Sequence, residues 1–476
     1  TIGLGQAVGD WTLDNGEISR IIAVDLIVGG TTNGAITADG VLGAGNGVSH
    51  WQLLGQAATG TPQVVFQGQS SEFRGLLVNA RGGIVASADV KTTTGDLEWT
   101  STGALAGPNP IQLVGARAIS AAGKLAISNS PTMSTTGDVI LRAGTGVVLS
   151  GRVSAGGSFQ IDADADRDGA GVFQLTSGGN SLVTNDHSLT VIASDIVLSS
   201  TINTGTASVT LLTDRGRSMG LGNAVADWSL SSAEYGLITT ATLILGDAQS
   251  GDIRVDSLPN STTKGAVQLR ATGNGQHLEF TGGTNTFTSL TAHADAGIRI
   301  DSDLTTRNGN LILDGDANQA ADGSLSGHDQ IVIAAGVTLT ARNGAIQLTA
   351  PTGGIVGAGV VSLLADRQIQ LNSKMTASGN LSLTANDGIQ IGADLTVDGS
   401  VTADADADTS GPGLLRVLAG AIMATTGGDV SVTSSDIDLQ GKLSSGSGTR
   451  PWMGSRGRGG ILTTGNCPDQ PCSLIP

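Results

Sequence analysis

Asp162, Asp164, Asp166 and Asp168 form an Asp-x-Asp-x-Asp-x-Asp-Gly run, and Asp404, Asp406 and Asp408 repeat three of its carboxylates. Asp314-Gly-Asp316-Ala-Asn318 is a weaker third version. On a strand, successive side chains point to opposite faces, so this spacing predicts carboxylates along one face with the alanines turned inward. Several hard oxygens held close together suit Ca²⁺, which makes these aspartates the candidate metal ligands. An EF-type loop begun at Asp164 reaches Leu175 at its twelfth position, where a closing Glu would be needed. In the second run Asp408 is followed by Thr409 rather than Gly. The competing expectation is a solvated acidic turn, because a loop motif needs its whole ligand set.

Catalysis finds less to work with. A polysaccharide lyase or hydrolase would need an acid/base pair in a cleft. The same aspartates, with Arg299 or Arg307 nearby in sequence, are the raw material for one. Acidic motifs that recur along a chain read as structure, whereas a catalytic site is usually unique. His50, His187, His277, His293 and His328 are far apart with no shared metal spacing, and Ser and Thr are abundant enough to draw a triad anywhere. Gly3-Leu4-Gly5 lacks the strand–helix setting of a nucleotide loop. No catalytic residue is assigned, and the expectation is a protein that is not an enzyme.

The stretch that must position these residues is written twice. Ile2-Gly-Leu-Gly-Gln-Ala-Val-Gly-Asp-Trp11 returns as Met219-Gly-Leu-Gly-Asn-Ala-Val-Ala-Asp-Trp228, at an offset of 217 that holds through Glu17/Glu234, Ile21/Ile238, Leu26/Leu243 and Asp39/Asp256. Phe66, Phe73 and Gly83 then match Phe280, Phe287 and Gly297 at 214, and Gly137-Asp-Val139 matches Gly379-Asn-Leu381 at 242. The change in offset predicts an extra coil and a loop between residues 311 and 375. Arg215-Gly-Arg217 and Arg456-Gly-Arg458 stand 241 apart. The predicted organisation is residues 1–217, residues 218–458, and a non-repeating tail, 459–476. Trp11 and Trp228 occupy the same repeat position and are expected to pack in a core or loop rather than to stack on a ligand.

Within each copy the repeat is shorter. Gln368-Ile-Gln-Leu-Asn-Ser-Lys-Met-Thr-Ala and Gly388-Ile-Gln-Ile-Gly-Ala-Asp-Leu-Thr-Val alternate apolar and polar residues over three to five positions, the period of a strand with one buried face. Gly, Asn and Asp mark the joins, where the chain must turn. One such step cannot bury its apolar face alone, so successive steps must stack. The reading is all-β: a right-handed parallel β-helix of about 20-residue coils, on the order of 24 coils over about 110 Å, with almost no helix.

Composition agrees. The 476 residues include 72 Gly and only 3% aromatics, too few bulky side chains for a large compact core but enough for one thin layer per coil. A net charge of −17 argues against nucleic acid or anionic lipid as partners. No run of about 18 apolar residues is present to span a membrane as a helix. The chain starts at Thr1, which suggests a processed product or an excised fragment. Cys467 and Cys472 are the two cysteines of the whole chain, a pattern expected of an exported protein with a local disulfide.

Three stretches carry a resemblance: Ile2-Gly-Leu-Gly5 with its Asp-Trp sequel, Ile161-Asp-Ala-Asp-Ala-Asp-Arg-Asp-Gly-Ala-Gly171, and Ser194-Asp-Ile-Val-Leu-Ser-Ser-Thr-Ile-Asn-Thr-Gly205. In repeat style the chain resembles the secreted β-helical exoproteins of the filamentous haemagglutinin and autotransporter-passenger type. That resemblance implies a bacterial surface adhesin or matrix component; an amino-terminal secretion domain and an outer-membrane barrel strand are the family parts not found in this sequence.

The expected function is structural and extracellular, a subunit that stacks end to end with itself. Terminal coils carry unpaired N–H and C=O groups, and such an edge templates another chain unless capped. The assembly-end residues expected from this are Thr1, Ile2, Gly3, Leu4, Gly5, Arg456 and Arg458. An adhesin stalk that contacts cells or a matrix polysaccharide is the alternative, with a carbohydrate-active β-helix behind it. No cofactor other than calcium is expected.

Overall fold

The computed structural model describes residues 1–45, 47–102, 110–176, 181–213, 215–259, 263–320 and 328–448, with the backbone alone for 129–131, Pro451–Gly454 and Gly459–Ile461. The alternating segments become short strands that pair in parallel with the strand one coil on, giving a β-solenoid of about 17 turns. By internal contacts the chain separates into two units, Thr1–Arg217 with Asp227–Ile244, and Ser218–Ala226 with Leu245–Pro476.

A column of stacked apolar residues runs through each unit. In the first, Ile36, Val64, Ile84, Ile111, Met133, Val153, Leu182, Ile202 and Ile238 face one another coil by coil, all buried. In the second the column is Ile253, Leu278, Ile298, Ile331, Ile355, Met375, Leu395 and Met423. Aliphatic residues fit because strands one coil apart sit at sheet spacing, close enough for like side chains to stack. The few aromatics gather rather than disperse. Trp51 and Phe73 meet edge-to-face at 5.5 Å, and Phe66 stacks on Trp99 at 5.5 Å. The T-shaped pair Phe66–Phe73, 6.5 Å apart at 83°, has a counterpart in the other unit in Phe280–Phe287, 6.3 Å apart at 86°.

The 20-residue coil holds from Ile369 to Ile389 and from Met375 to Leu395. Other turns are longer, with 28 residues from Leu395 to Met423 and 33 from Ile298 to Ile331. This is why there are fewer turns than 20-residue coils would give. The surplus leaves the coil at loops between strands, and two of these, 163–171 and 405–413, are the Asp-rich segments.

Among the described residues two one-turn α-helices interrupt the strands, α1 (Asn15–Ile18) and α2 (Ser232–Gly236), besides a 3-10 turn at Gly43–Gly45. Each α-helix is started by a capping box: Asp14 accepts from the Glu17 N–H while Glu17 accepts from Asp14, and Ser231 and Glu234 do the same. With 3% helix the expectation of almost no helix holds, and the two short exceptions are readable as Asp14-x-x-Glu17 and Ser231-x-x-Glu234.

Candidate assembly faces, acidic corners and a charged groove

The acidic motifs are corners, not strand faces. The strand Phe159–Asp162 ends at its aspartate. Ala163 and Asp164 are then both fully buried and Ala165 is exposed, so the expected alternation fails where the chain turns out of the sheet. Asp316 and Asp406 are buried in the same way. Three residues after each buried Asp, the backbone turns left-handed at Arg167 (φ 59°), Gln319 (φ 57°) and Thr409 (φ 56°). The N–H of each returns to the carbonyl of Asp164, Asp316 and Asp406, at 3.1, 3.2 and 3.0 Å.

The buried carboxylates fasten these corners. Asp164 Oδ2 accepts the Gly169 N–H at 3.1 Å. Asp316 Oδ2 accepts from both the N–H and the hydroxyl of Thr352 at 2.8 Å. Asp162 is taken by the Arg167 guanidinium, with Nη1 and Nη2 at 2.5 and 3.0 Å from its two oxygens. Asp164, Asp166 and Asp168 bring carboxylate oxygens within 4.8 Å of one another, the one such group of acidic or metal-ligating side chains among the described residues. Asp404, Asp406 and Asp408 do not converge in this way. Burial, with the neighbouring Asp406 charge, pushes the Asp404 carboxyl above its usual range, while the Ser410 hydroxyl and N–H hold Asp408 below it. Hydrogen bonds and one ion pair thus account for most of what these aspartates do.

A charged groove of about 730 Å³ opens on the second unit. It lies over parallel strands whose outward residues stack as Arg254, Glu279 and Arg299. Glu279 sits 3.5 Å from Arg254 and 3.8 Å from Arg299, whose Nε also reaches Asp301 at 2.7 Å. His277 packs its ring edge-to-face on His328 at 5.0 Å, its backbone N–H donates to Asp252 Oδ1 at 2.9 Å, and its ring Nδ1 lies 3.7 Å from the same oxygen. A side-chain hydrogen bond to Asp252 raises the His277 pKa, and the same bond lowers that of Asp252. Two of the five histidines, His277 and His328, therefore do meet, although they share no spacing in sequence. The usable signal was register: aligning Ile253, Leu278 and Ile298 puts Arg254, Glu279 and Arg299 in one ladder and Asp252 beside His277. Arg299 lines the groove, while Arg307 and the Asp-rich runs do not.

The third feature is an open apolar face at one end of the first unit. Ile2, Gly3, Leu4 and Gly5 form a strand paired with Ile36–Asp39 on one side and Trp11–Leu13 on the other. The chain doubles back after Gly5, so Leu4 is fully buried and the open edge lies one strand further out than the expected end residues. That edge is formed by Trp11–Leu13 and by Ile22–Gly30. Trp11, Ile22, Val24 and Ile27 are 51%, 87%, 74% and 57% exposed. Ile2, Trp11, Leu13, Leu26 and Ile27 line a hollow of about 390 Å³ there. Arg456, Arg458, Cys467 and Cys472 lie outside the described residues.

Four positions at offset 217, the counterparts of Trp11, Leu13, Ile21 and Leu26, are covered, whereas Thr239 and Ile244, which match Ile22 and Ile27, are half-buried and Ala241, which matches Val24, is exposed. Trp228, Leu230, Ile238 and Leu243 are at most 1% exposed. What covers them, within the first unit, is the coil of strands Asp195–Leu198 and Thr201–Asn203. Ile202 pairs in parallel with Ile238 and Asn203 with Thr239. The Ser229 N–H donates to Asp195 Oδ1 and the Leu198 N–H to Glu234 Oε1, both at 3.0 Å. Trp228 is therefore core, as expected for this repeat position, whereas Trp11 is half out of it.

The fold and these faces define a parallel β-solenoid with an apolar end face. No known family, curated protein or solved structure matches the chain. No helix among the described residues is long and apolar enough to cross a membrane.

Proposed function

We propose that this chain is a structural, secreted β-solenoid of bacterial surfaces, of the filamentous haemagglutinin and autotransporter-passenger type, which stacks end to end into a filament or matrix fibre. One observation carries the reading: residues that a parallel coil covers at Trp228–Leu243 are matched by an open apolar face at Trp11–Leu26. An exposed apolar sheet edge of this kind is a template for another chain. The groove supports a structural role more than catalysis, because its arginines are spent on Glu279 and Asp301.

Negative-stain electron microscopy of the purified chain is the test. Wild type gives fibres, and a variant with Trp11→Asp and Ile27→Asp gives separate particles of unchanged melting temperature. Wild-type particles that never join would overturn the reading. An adhesin that takes a matrix polysaccharide is a second reading, favoured by the groove alone; glycan binding abolished by Arg299→Ala would support it.

A further inference from the structure

The end-to-end reading leaves open which surface covers the apolar face, and the chain contains a second coil built like the one that covers Trp228–Leu243. Asp195-Ile-Val-Leu198 and Thr201-Ile-Asn203 return at an offset of 241 as Asp436-Ile-Asp-Leu439 and Lys442-Leu-Ser444. The structures agree as well as the sequences. Phe173 and Leu175 pair with Ile196 and Leu198, as Leu415 and Val417 pair with Ile437 and Leu439. Leu182 pairs with Ile202, as Met423 pairs with Leu443. The Ser194 N–H reaches the Gly171 carbonyl and the Ser435 N–H the Gly413 carbonyl. Thr204 and Ser445 each turn a hydroxyl onto a carbonyl three residues on.

The two coils differ in what lies over them. Ile196, Leu198 and Ile202 are 2%, 5% and 0% exposed, whereas Ile437 and Leu443 are half-buried and Leu439 is 44% exposed. Asp195 spends Oδ1 on the Ser229 N–H, whereas Asp436 turns Oδ1 onto the N–H of its own neighbour, Ile437.

We infer that the occupant of the Trp11–Ile27 face is the Asp436–Ser444 coil of a second copy of this chain. The inference rests on the end-to-end reading and adds its partner and register. Carrying the covered junction across places Leu443 of one copy beside Ile21 of the next, as Ile202 lies beside Ile238. It places the Thr12 N–H on Asp436 and the Leu439 N–H on Glu17. Glu17 uses Oε2 in its capping box, as Glu234 does, which leaves Oε1 for that bond. The apolar side chains on both partners then leave water together, and the two open ladders complete each other.

Paired residues of adjacent parallel strands lie within disulfide reach. In a background with Cys467→Ser and Cys472→Ser, the variant with Ile21→Cys and Leu443→Cys is oxidised mildly and run on a non-reducing gel beside a control with Leu26→Cys and Leu443→Cys. The control cysteines would lie about 16 Å out of register. The expected result is a ladder of covalent multimers from the first variant and monomer from the control, with both giving fibres when reduced. Fibres without the ladder would overturn the inferred partner coil and leave end-to-end assembly standing. Neither fibres nor multimers, from a variant that melts as wild type, would overturn both.

Discussion

At the scale of single residues, the solenoid places ionisable groups where pH should read them. Lys264 begins the strand Lys264–Ala271 buried, its Nζ donating to the Thr263 hydroxyl at 2.8 Å, and burial pushes its pKa down to about 8. Its ordinary value is 10.5, so between about pH 8 and 10.5 the unfolded chain binds the extra proton and stability rises with pH. Lys264→Met should melt higher than wild type at pH 7, with the gap closing by pH 10; a constant gap would refute this. His277 has the opposite sign. Its pKa is raised by Asp252, so the pair's contribution is complete below about pH 6.5 and fades as pH rises through the raised value. Asp252 is lowered, so its share is lost only on acidification below the ordinary carboxylate range. Both groups are over one-third exposed, which limits the effect to under about 1 kcal/mol. The melting difference between wild type and His277→Ala should be largest near pH 5–6 and shrink by pH 8. The acidic runs show where residue types mislead. Their spacing is that of a strand face, but nothing in Asp-x-Asp-x-Asp announces that the strand stops at Asp162 and Asp404. Nor does it announce that Arg167 turns left-handed back onto Asp162.

At the scale of elements, the sequence carried most of the fold. Period-two alternation with Gly, Asn and Asp joins implies half-buried strands, and a strand with one apolar face needs a neighbour of the same length one coil on. Coil length was less legible, because loop residues such as 163–171 carry no period of their own. The groove was hidden for a related reason: His277 and His328 meet only after a 33-residue turn from Ile298 to Ile331 is laid down in register. The stacked columns make a direct energetic prediction. Ile298 is 1% exposed between Leu278 and Ile331, so Ile298→Ala removes contacts on both sides and should cost about 2–5 kcal/mol. Chemical denaturation checks this, and a loss under 1 kcal/mol would mean that the column collapses onto the gap. The same arithmetic bears on the open end. Fully burying an apolar side chain is worth about 1.5–3 kcal/mol, while association costs about 4–15 kcal/mol. In the inferred register Trp11, Leu13, Ile21 and Leu26, whose counterparts are at most 1% exposed, would offset part of that cost, and the coil opposite must supply the rest.

At the scale of the whole molecule, the central claim is that a repeat covered once inside the chain is covered again between chains. The net charge of −17 opposes any such contact at long range and is screened beyond about 8 Å at physiological salt. Apolar burial and strand pairing must therefore decide the matter at contact distance. Sedimentation velocity of the purified chain at 150 mM salt, over a hundredfold range of concentration, measures this most directly. The account predicts a mass that grows with concentration in steps of the 47.3 kDa chain. A single 47.3 kDa species at every concentration would contradict it.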